Sequence, residues 1–144
     1  MTSKFASSFN RVLIGVALCV SSQAFAADLT VHISGTRTPE GNVLLALYDS
    51  AASFLKPGAQ LHARVVQVTP GALSVVFRDL PAGRYALVAF HDANGNGKLD
   101  RNLVGLPTEA FGFSNGAMGV GASPSFDKAA VELNADTALA IDLH

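Results

Sequence analysis

The chain has 144 residues, 10 Lys plus Arg against 11 Asp plus Glu, and a single Cys. That length holds one domain, and the near-neutral balance excludes the basic footprint of a nucleic-acid binder. With 49% apolar and only 15% charged residues, an acidic disordered tail is excluded as well.

Residues 1–26 predict a secretory signal peptide. Lys4 and Arg11 supply its positive start, Val12 to Val20 its apolar run of 9 residues, and Ala24-Phe25-Ala26 the small residues that a signal peptidase reads. Nine residues fall well short of the roughly 20 needed to span a bilayer, and no later run approaches that length. No membrane span is therefore expected once the leader is removed after Ala26. A retained anchor, or a lipid on Cys19, is the alternative; Leu18 is large for a lipid-attachment signal. Cleavage leaves residues 27–144 with no cysteine, hence no disulfide in an oxidising compartment. The expected location is the periplasm or the outside of the cell. The mature chain carries 8 Lys plus Arg against 11 carboxylates, a net charge of −3.

From there the dominant period is two. Leu29, Val31 and Ile33 alternate with Thr30, His32 and Ser34. Gly35 to Gly41 is a turn region, and Val43 to Tyr48 is apolar on both faces, as in a central strand. Ala51 to Ala59 is a connection anchored by Phe54 and Leu55. Ala63 to Thr69 is a strand with Val66 and Val68 on one side, and Pro70-Gly71 turns the chain. Leu73, Val75 and Phe77 alternate again, Leu80-Pro81-Ala82-Gly83 is the next turn, and Tyr85 to Phe90 is a second strand apolar on both faces. Ala129 to Leu133 and Ala138 to Leu143 read as a closing hairpin around Asn134-Ala135-Asp136. Seven short strands with turn signals between them predict an all-β fold, a single antiparallel seven-stranded β-sandwich.

Between the last two groups of strands lies a 35-residue stretch, 92–126, with no strand pattern and 7 of the 13 glycines. A structureless loop that long in a compact domain is functional or disordered. Leu103, Val104, Leu106, Phe111, Phe113, Met118 and Phe126 are too many apolar anchors for disorder, so an ordered Gly-rich loop folded back on the sandwich is expected.

That loop opens on Asp92-Ala93-Asn94-Gly95-Asn96-Gly97-Lys98-Leu99-Asp100, a DxNxNGxxD pattern. Oxygen-bearing side chains fall at loop positions 1, 3, 5 and 9, with Gly at 6 for the sharp reversal, as in the first part of an EF-hand calcium loop. The expected Ca²⁺ ligands are Asp92, Asn94, Asn96 and Asp100 through side chains and Lys98 through its carbonyl, with Glu109 closing the shell from further along. Position 12 is Leu103 where an EF-hand has a bidentate Glu, so the affinity expected is modest, on the order of 10⁻⁴–10⁻³ M. The alternative is turn chemistry alone, since Asn-Gly twice in succession favours tight turns without an ion.

Other constellations are weaker. Gly112-Phe113-Ser114-Asn115-Gly116 matches GxSxG, but its flanks are Gly-rich loop rather than the strand and helix of a nucleophile elbow. No pair among His32, His62, His91 and His144 has zinc spacing. His32 should face solvent; His91 should take a surface or half-buried place, or orient the loop by a hydrogen bond. Tyr85 should pack and bond through its hydroxyl. Phe111 and Phe113 should pack beneath the loop, their alternative being an exposed platform.

Asp79-Leu80-Pro81-Ala82-Gly83-Arg84-Tyr85-Ala86 is similar to the dLPaGxY signature of transthyretin-like and carboxypeptidase-regulatory-like sandwiches. His91 to Asp100 follows, then Gly105-Leu106-Pro107-Thr108-Glu109, Gly112-Phe113-Ser114 and Pro124-Ser125-Phe126. Over residues 28–143 this combination resembles family 2141 of the domains of unknown function, secreted bacterial proteins without an assigned activity. The resemblance implies a transthyretin-like, immunoglobulin-like sandwich in a periplasmic setting. It supplies no substrate and no catalytic residue.

The function expected is a secreted, non-enzymatic binding module with a candidate Ca²⁺ loop that orders residues 92–126 and recognises a protein, glycan or envelope component. The rival readings are a small enzyme using His91, Asp92, Asp100, Glu109 and Ser114, and a purely structural envelope protein.

Overall fold

The computed structural model describes residues 25–119 and 122–144. The leader expected over residues 1–26 lies outside them, apart from Phe25 and Ala26. The fold is all-β in two sheets. Strands β1 (Ala26–Ser34), β4 (Leu73–Pro81) and β8 (Thr137–Asp142) form a three-stranded sheet in the order β4-β1-β8. Strands β2 (Asn42–Tyr48), β3 (His62–Gln67), β5 (Gly83–Asp92) and β6 (Phe111–Phe113) follow the order β3-β2-β5-β6, and β7 (Val131–Leu133) pairs with the start of β5.

Period-two patterning explains the core. Leu29, Val31 and Ile33 of β1, Leu73, Val75 and Phe77 of β4, Val43, Leu45 and Leu47 of β2, and Leu87 and Ala89 of β5 are all buried in one cluster. One face of each sheet supplies it, the arrangement of a sandwich. β3 is an edge strand, mostly exposed; Val66 packs on the core, and Val68 is buried just past its end.

The strand count and pairing differ from expectation. Eight strands are present among the described residues, because β6 forms inside the glycine-rich excursion. The sheets are not wholly antiparallel, since β8 runs parallel to β1, with Val31 opposite Leu139. The closing hairpin does not form: β7 pairs with β5 and β8 with β1. Alternation shows that Leu133 and Ile141 point inward, and both are about fully buried. It cannot show that they reach the same core from opposite sheets, with Asn134-Ala135-Asp136 carrying the chain across between them. Asp136 secures that crossing by accepting the Asp28 N–H at 2.9 Å.

The Leu80-Pro81-Ala82-Gly83 turn is also a crossing between sheets, from β4 to β5. Leu80 is 1% exposed, and the Tyr85 hydroxyl donates to the Pro81 carbonyl at 2.7 Å. This closes the corner as a tyrosine closes the inter-sheet corner of immunoglobulin-type sandwiches. Burial pushes the Tyr48 and Tyr85 phenols above the usual tyrosine value, and the Asp49 carboxylate adds to the push on Tyr85. Above pH about 10 the unfolded chain releases these protons first, so it binds fewer protons than the folded chain and stability falls as pH rises. Denaturant midpoints measured from pH 8 to 11 should drop at the alkaline end. Tyr85→Phe should lose about 1 kcal/mol at pH 8 and flatten the alkaline drop.

Candidate functional site

Over its described residues, the 92–126 excursion is ordered by its polar groups more than by its apolar ones. Phe113 and Phe126 are buried, and Phe111 is half-buried beside Phe113 in a T-shaped pair. With Phe54, Leu55 and Ala129 they make a second apolar cluster on the outer side of the larger sheet. Leu103, Val104, Leu106 and Met118, expected as anchors, are instead exposed, Leu103 completely. A small hydrogen-bonded loop presents the first three: Asn102 Oδ1 accepts the Val104 and Leu106 N–H groups, and the Asn102 N–H donates to the Leu106 carbonyl.

Asp92 ends β5 and is 1% exposed. Its Oδ1 accepts the Asn96 N–H at 3.0 Å and its Oδ2 the Gly97 N–H at 2.7 Å. The loop therefore winds around this carboxylate, and Gly95 and Gly97 take the left-handed conformation that the winding needs. Asn94 and Asn96 repeat the motif, each accepting the N–H two residues on, from Asn96 and Lys98. Their side-chain amides both donate to Asp100, from Asn94 at 2.6 Å and from Asn96 at 2.9 Å. Glu109 clamps the loop from outside, its Oε1 on the Ala93 N–H and its Oε2 on the Asp100 N–H.

So the structure brings together Asp92, Asn94, Asn96, Asp100 and Glu109, and Lys98 enters through its backbone N–H. The ion pairs found among the described residues, Arg78–Asp28, Arg84–Asp127 and His144–Asp142, involve none of these carboxylates. No group of three His, Cys, Asp or Glu able to hold a metal forms among the described residues. The asparagine amides occupy the acceptor positions of Asp100. In this arrangement the side-chain oxygens of Asp92, Asn94, Asn96, Asp100 and Glu109 accept N–H groups of the loop itself.

His91 is buried, not at the surface. Its Nδ1 accepts the Arg37 N–H and its Nε2 donates to the Glu40 carbonyl, which fixes the neutral Nε2–H tautomer. It ties the 35–41 turn to the foot of the loop. Gly41 of that turn, at φ +83°, lies so close to Asp92 O and Ala93 Cα that no β-carbon fits. Ser114, also fully buried, accepts the Leu87 N–H at 2.8 Å and donates to the Ala129 carbonyl at 2.6 Å. It holds the 3₁₀ turn Ser114–Gly116 and the helical turn α1 (Phe126–Ala129) against β5. Each buried side-chain N or O among the described residues has a partner.

Sequence reasoning missed a groove on the outer face of the larger sheet. One cavity of about 530 Å³ is walled by Leu55, Phe90, Leu106, Phe111, Met118 and Arg101, among others. A neighbouring one of about 480 Å³ shares Leu55, Val88, Phe90 and Leu99 with it. The signal was present in β2 and β5, whose residues are apolar on both faces: one face fills the core and the other floors the groove.

A family model described as an uncharacterized protein conserved in bacteria (DUF2141) matches residues 31–141. No curated protein and no solved structure matches the chain. Among the described residues no helix is long and apolar enough to cross a membrane.

Proposed function

The chain belongs to the bacterial family DUF2141, whose description assigns no activity, and from its geometry we propose an exported, non-enzymatic β-sandwich binding module whose 92–109 loop takes up Ca²⁺. The observation that carries this reading is the convergence of Asp92, Asn94, Asn96 and Asp100 in one turn clamped by Glu109. Three carboxylates there have no Lys or Arg partner among the described residues. Rotation of the two asparagine amides would turn their oxygens toward the same centre as Asp100.

The engagement of His91, Asp92 and Ser114 in structural bonds supports a module rather than an enzyme. The tyrosine-closed corner supports the immunoglobulin-like form of the sandwich, and the leader sequence supports export. The partner is an envelope component, protein or glycan met by the excursion.

The test is thermal unfolding in chelator and in Ca²⁺ up to 10 mM. At the affinity expected, an ion bound only by the folded state adds about 1.4–2.7 kcal/mol at 10 mM, which raises the midpoint by several degrees. Asp100→Asn should abolish the rise while leaving the midpoint in chelator within about 2 °C. An unchanged midpoint in the parent protein would reduce the motif to turn chemistry.

A further inference from the structure

The register of the larger sheet lines up two apolar rows on its outer face. Val65, Leu44, Phe90 and Phe111 are cross-strand neighbours in one row, and Ala63, Ala46, Val88 and Phe113 in the next. Phe113 is covered by the second apolar cluster. Leu44, Ala46, Val88, Phe90 and Phe111 are only half-buried, and Val65 is exposed. The two cavities lie over them, each within the size range of small-molecule sites.

Three features indicate what fits. First, the floor consists of side chains. The backbone groups of β2 and β5 beneath are paired in the β2–β3, β2–β5 and β5–β6 ladders. A peptide lying here would bury amides without partners, a cost of several kcal/mol, whereas an alkyl chain has none to satisfy. Second, the charge is one-sided. Arg101 lines the first cavity and Lys98 the second, and no carboxylate among the described residues lines either, in a chain of net negative charge; Arg64, at the edge of the second, turns its guanidinium over the Phe77 ring on the core side instead. The nearby loop acids Asp92, Asp100 and Glu109 are turned onto their own loop's donors. Third, Leu55, which lines both cavities, is held at φ +59°, a left-handed conformation costly for a residue with a β-carbon and concentrated at ligand sites.

We propose that this groove binds one long-chain fatty acid, its alkyl chain lying across the apolar rows and its carboxylate on the Arg101 guanidinium. Four strands at about 4.8 Å spacing span about 14 Å, the reach of a chain of roughly a dozen carbons. Arg101 is exposed and donates through Nη1 to the Gly105 carbonyl. That contact steadies the side chain at the groove mouth and leaves its remaining N–H donors for a planar carboxylate. The exposed Leu106 and Met118 at the rim then close over the chain. The proposal rests on the binding-module reading and not on Ca²⁺.

The experiment is isothermal titration calorimetry of the mature 27–144 chain in chelator, because Ca²⁺ precipitates long-chain carboxylates. Dodecanoate is titrated below its micelle-forming concentration, beside dodecanol. Dodecanoate should bind once per chain and at least ten times more tightly than dodecanol. Arg101→Gln, at an exposed position, should weaken dodecanoate at least tenfold and leave dodecanol within about twofold. Met118→Glu should weaken dodecanoate through a like charge at the rim. Both variants are checked for unchanged circular dichroism. Absence of saturable binding by the folded parent overturns the proposal, as does equal binding of acid and alcohol. The Ca²⁺ melting experiment on the same sample separates the two readings. A calcium shift without fatty-acid binding overturns only the groove; fatty-acid binding without a shift overturns only the calcium loop.

Discussion

Asp92→Ala is expected to lower the unfolding free energy by about 3 kcal/mol in chelator and to remove any response to Ca²⁺. The carboxylate is 1% exposed and accepts two backbone N–H groups, from Asn96 and Gly97. Hydrogen bonds to a charged group contribute roughly 1.5–3 kcal/mol each, and part of that returns when water reaches the freed amides of an exposed loop. Asp92→Asn keeps one acceptor and should cost about half as much. Urea unfolding followed by circular dichroism measures both. A cost under about 0.5 kcal/mol for the alanine variant would mean that the loop holds its shape without its central carboxylate. Hydrogen exchange at Asn96 and Gly97 then shows whether the loss is local, since those amides should become the first in the chain to lose protection.

The difference between what could and could not be read from the sequence follows from range. The DxNxNGxxD turn was legible because its side-chain bonds join residues two to six apart, and side-chain chemistry at such spacing is a local matter. Glu109, nine residues beyond Asp100, reaches the Ala93 and Asp100 N–H groups because the bridge between Arg101 and Pro107 folds the chain back at that distance. The strands were legible from alternation. Their partners were not, because alternation records only that Leu133 and Ile141 face inward, and either a hairpin or a crossing satisfies it. The burial of His91 was hidden for the same reason: its two partners lie more than fifty residues away, in the turn that Gly41 lets approach. Leu103, Val104 and Leu106 misled in the other direction. Apolar residues in a long loop usually anchor it, but here Asn102 anchors the loop through the backbone and frees the aliphatic side chains for the surface. The groove lay in plain view as two strands apolar on both faces, a pattern that reads equally well as a sheet covered on both sides.

Ser114→Ala should cost about 3 kcal/mol, although the side chain lost is one oxygen. The hydroxyl is fully buried and serves as acceptor for the Leu87 N–H and donor to the Ala129 carbonyl. Its removal leaves both backbone groups in an apolar setting between Ala86, Phe113 and Phe126, at roughly 1–3 kcal/mol for each unpaired group. The neighbouring Asn115 is the control. Its amide donates to the Lys128 carbonyl in an exposed setting, and its φ of +58° suits glycine, so Asn115→Gly should change stability by less than about 1 kcal/mol. The pair also bears on the GxSxG motif. A nucleophile can be removed with little loss of stability, because its hydroxyl must stay free to reach a substrate. A structural serine bound on both sides cannot. A denaturant midpoint for Ser114→Ala close to that of the parent would return Ser114 to the list of reactive groups. A large drop with an unchanged denaturant slope would identify it as the pin that holds the end of the excursion to β5, next to the groove that the same excursion walls.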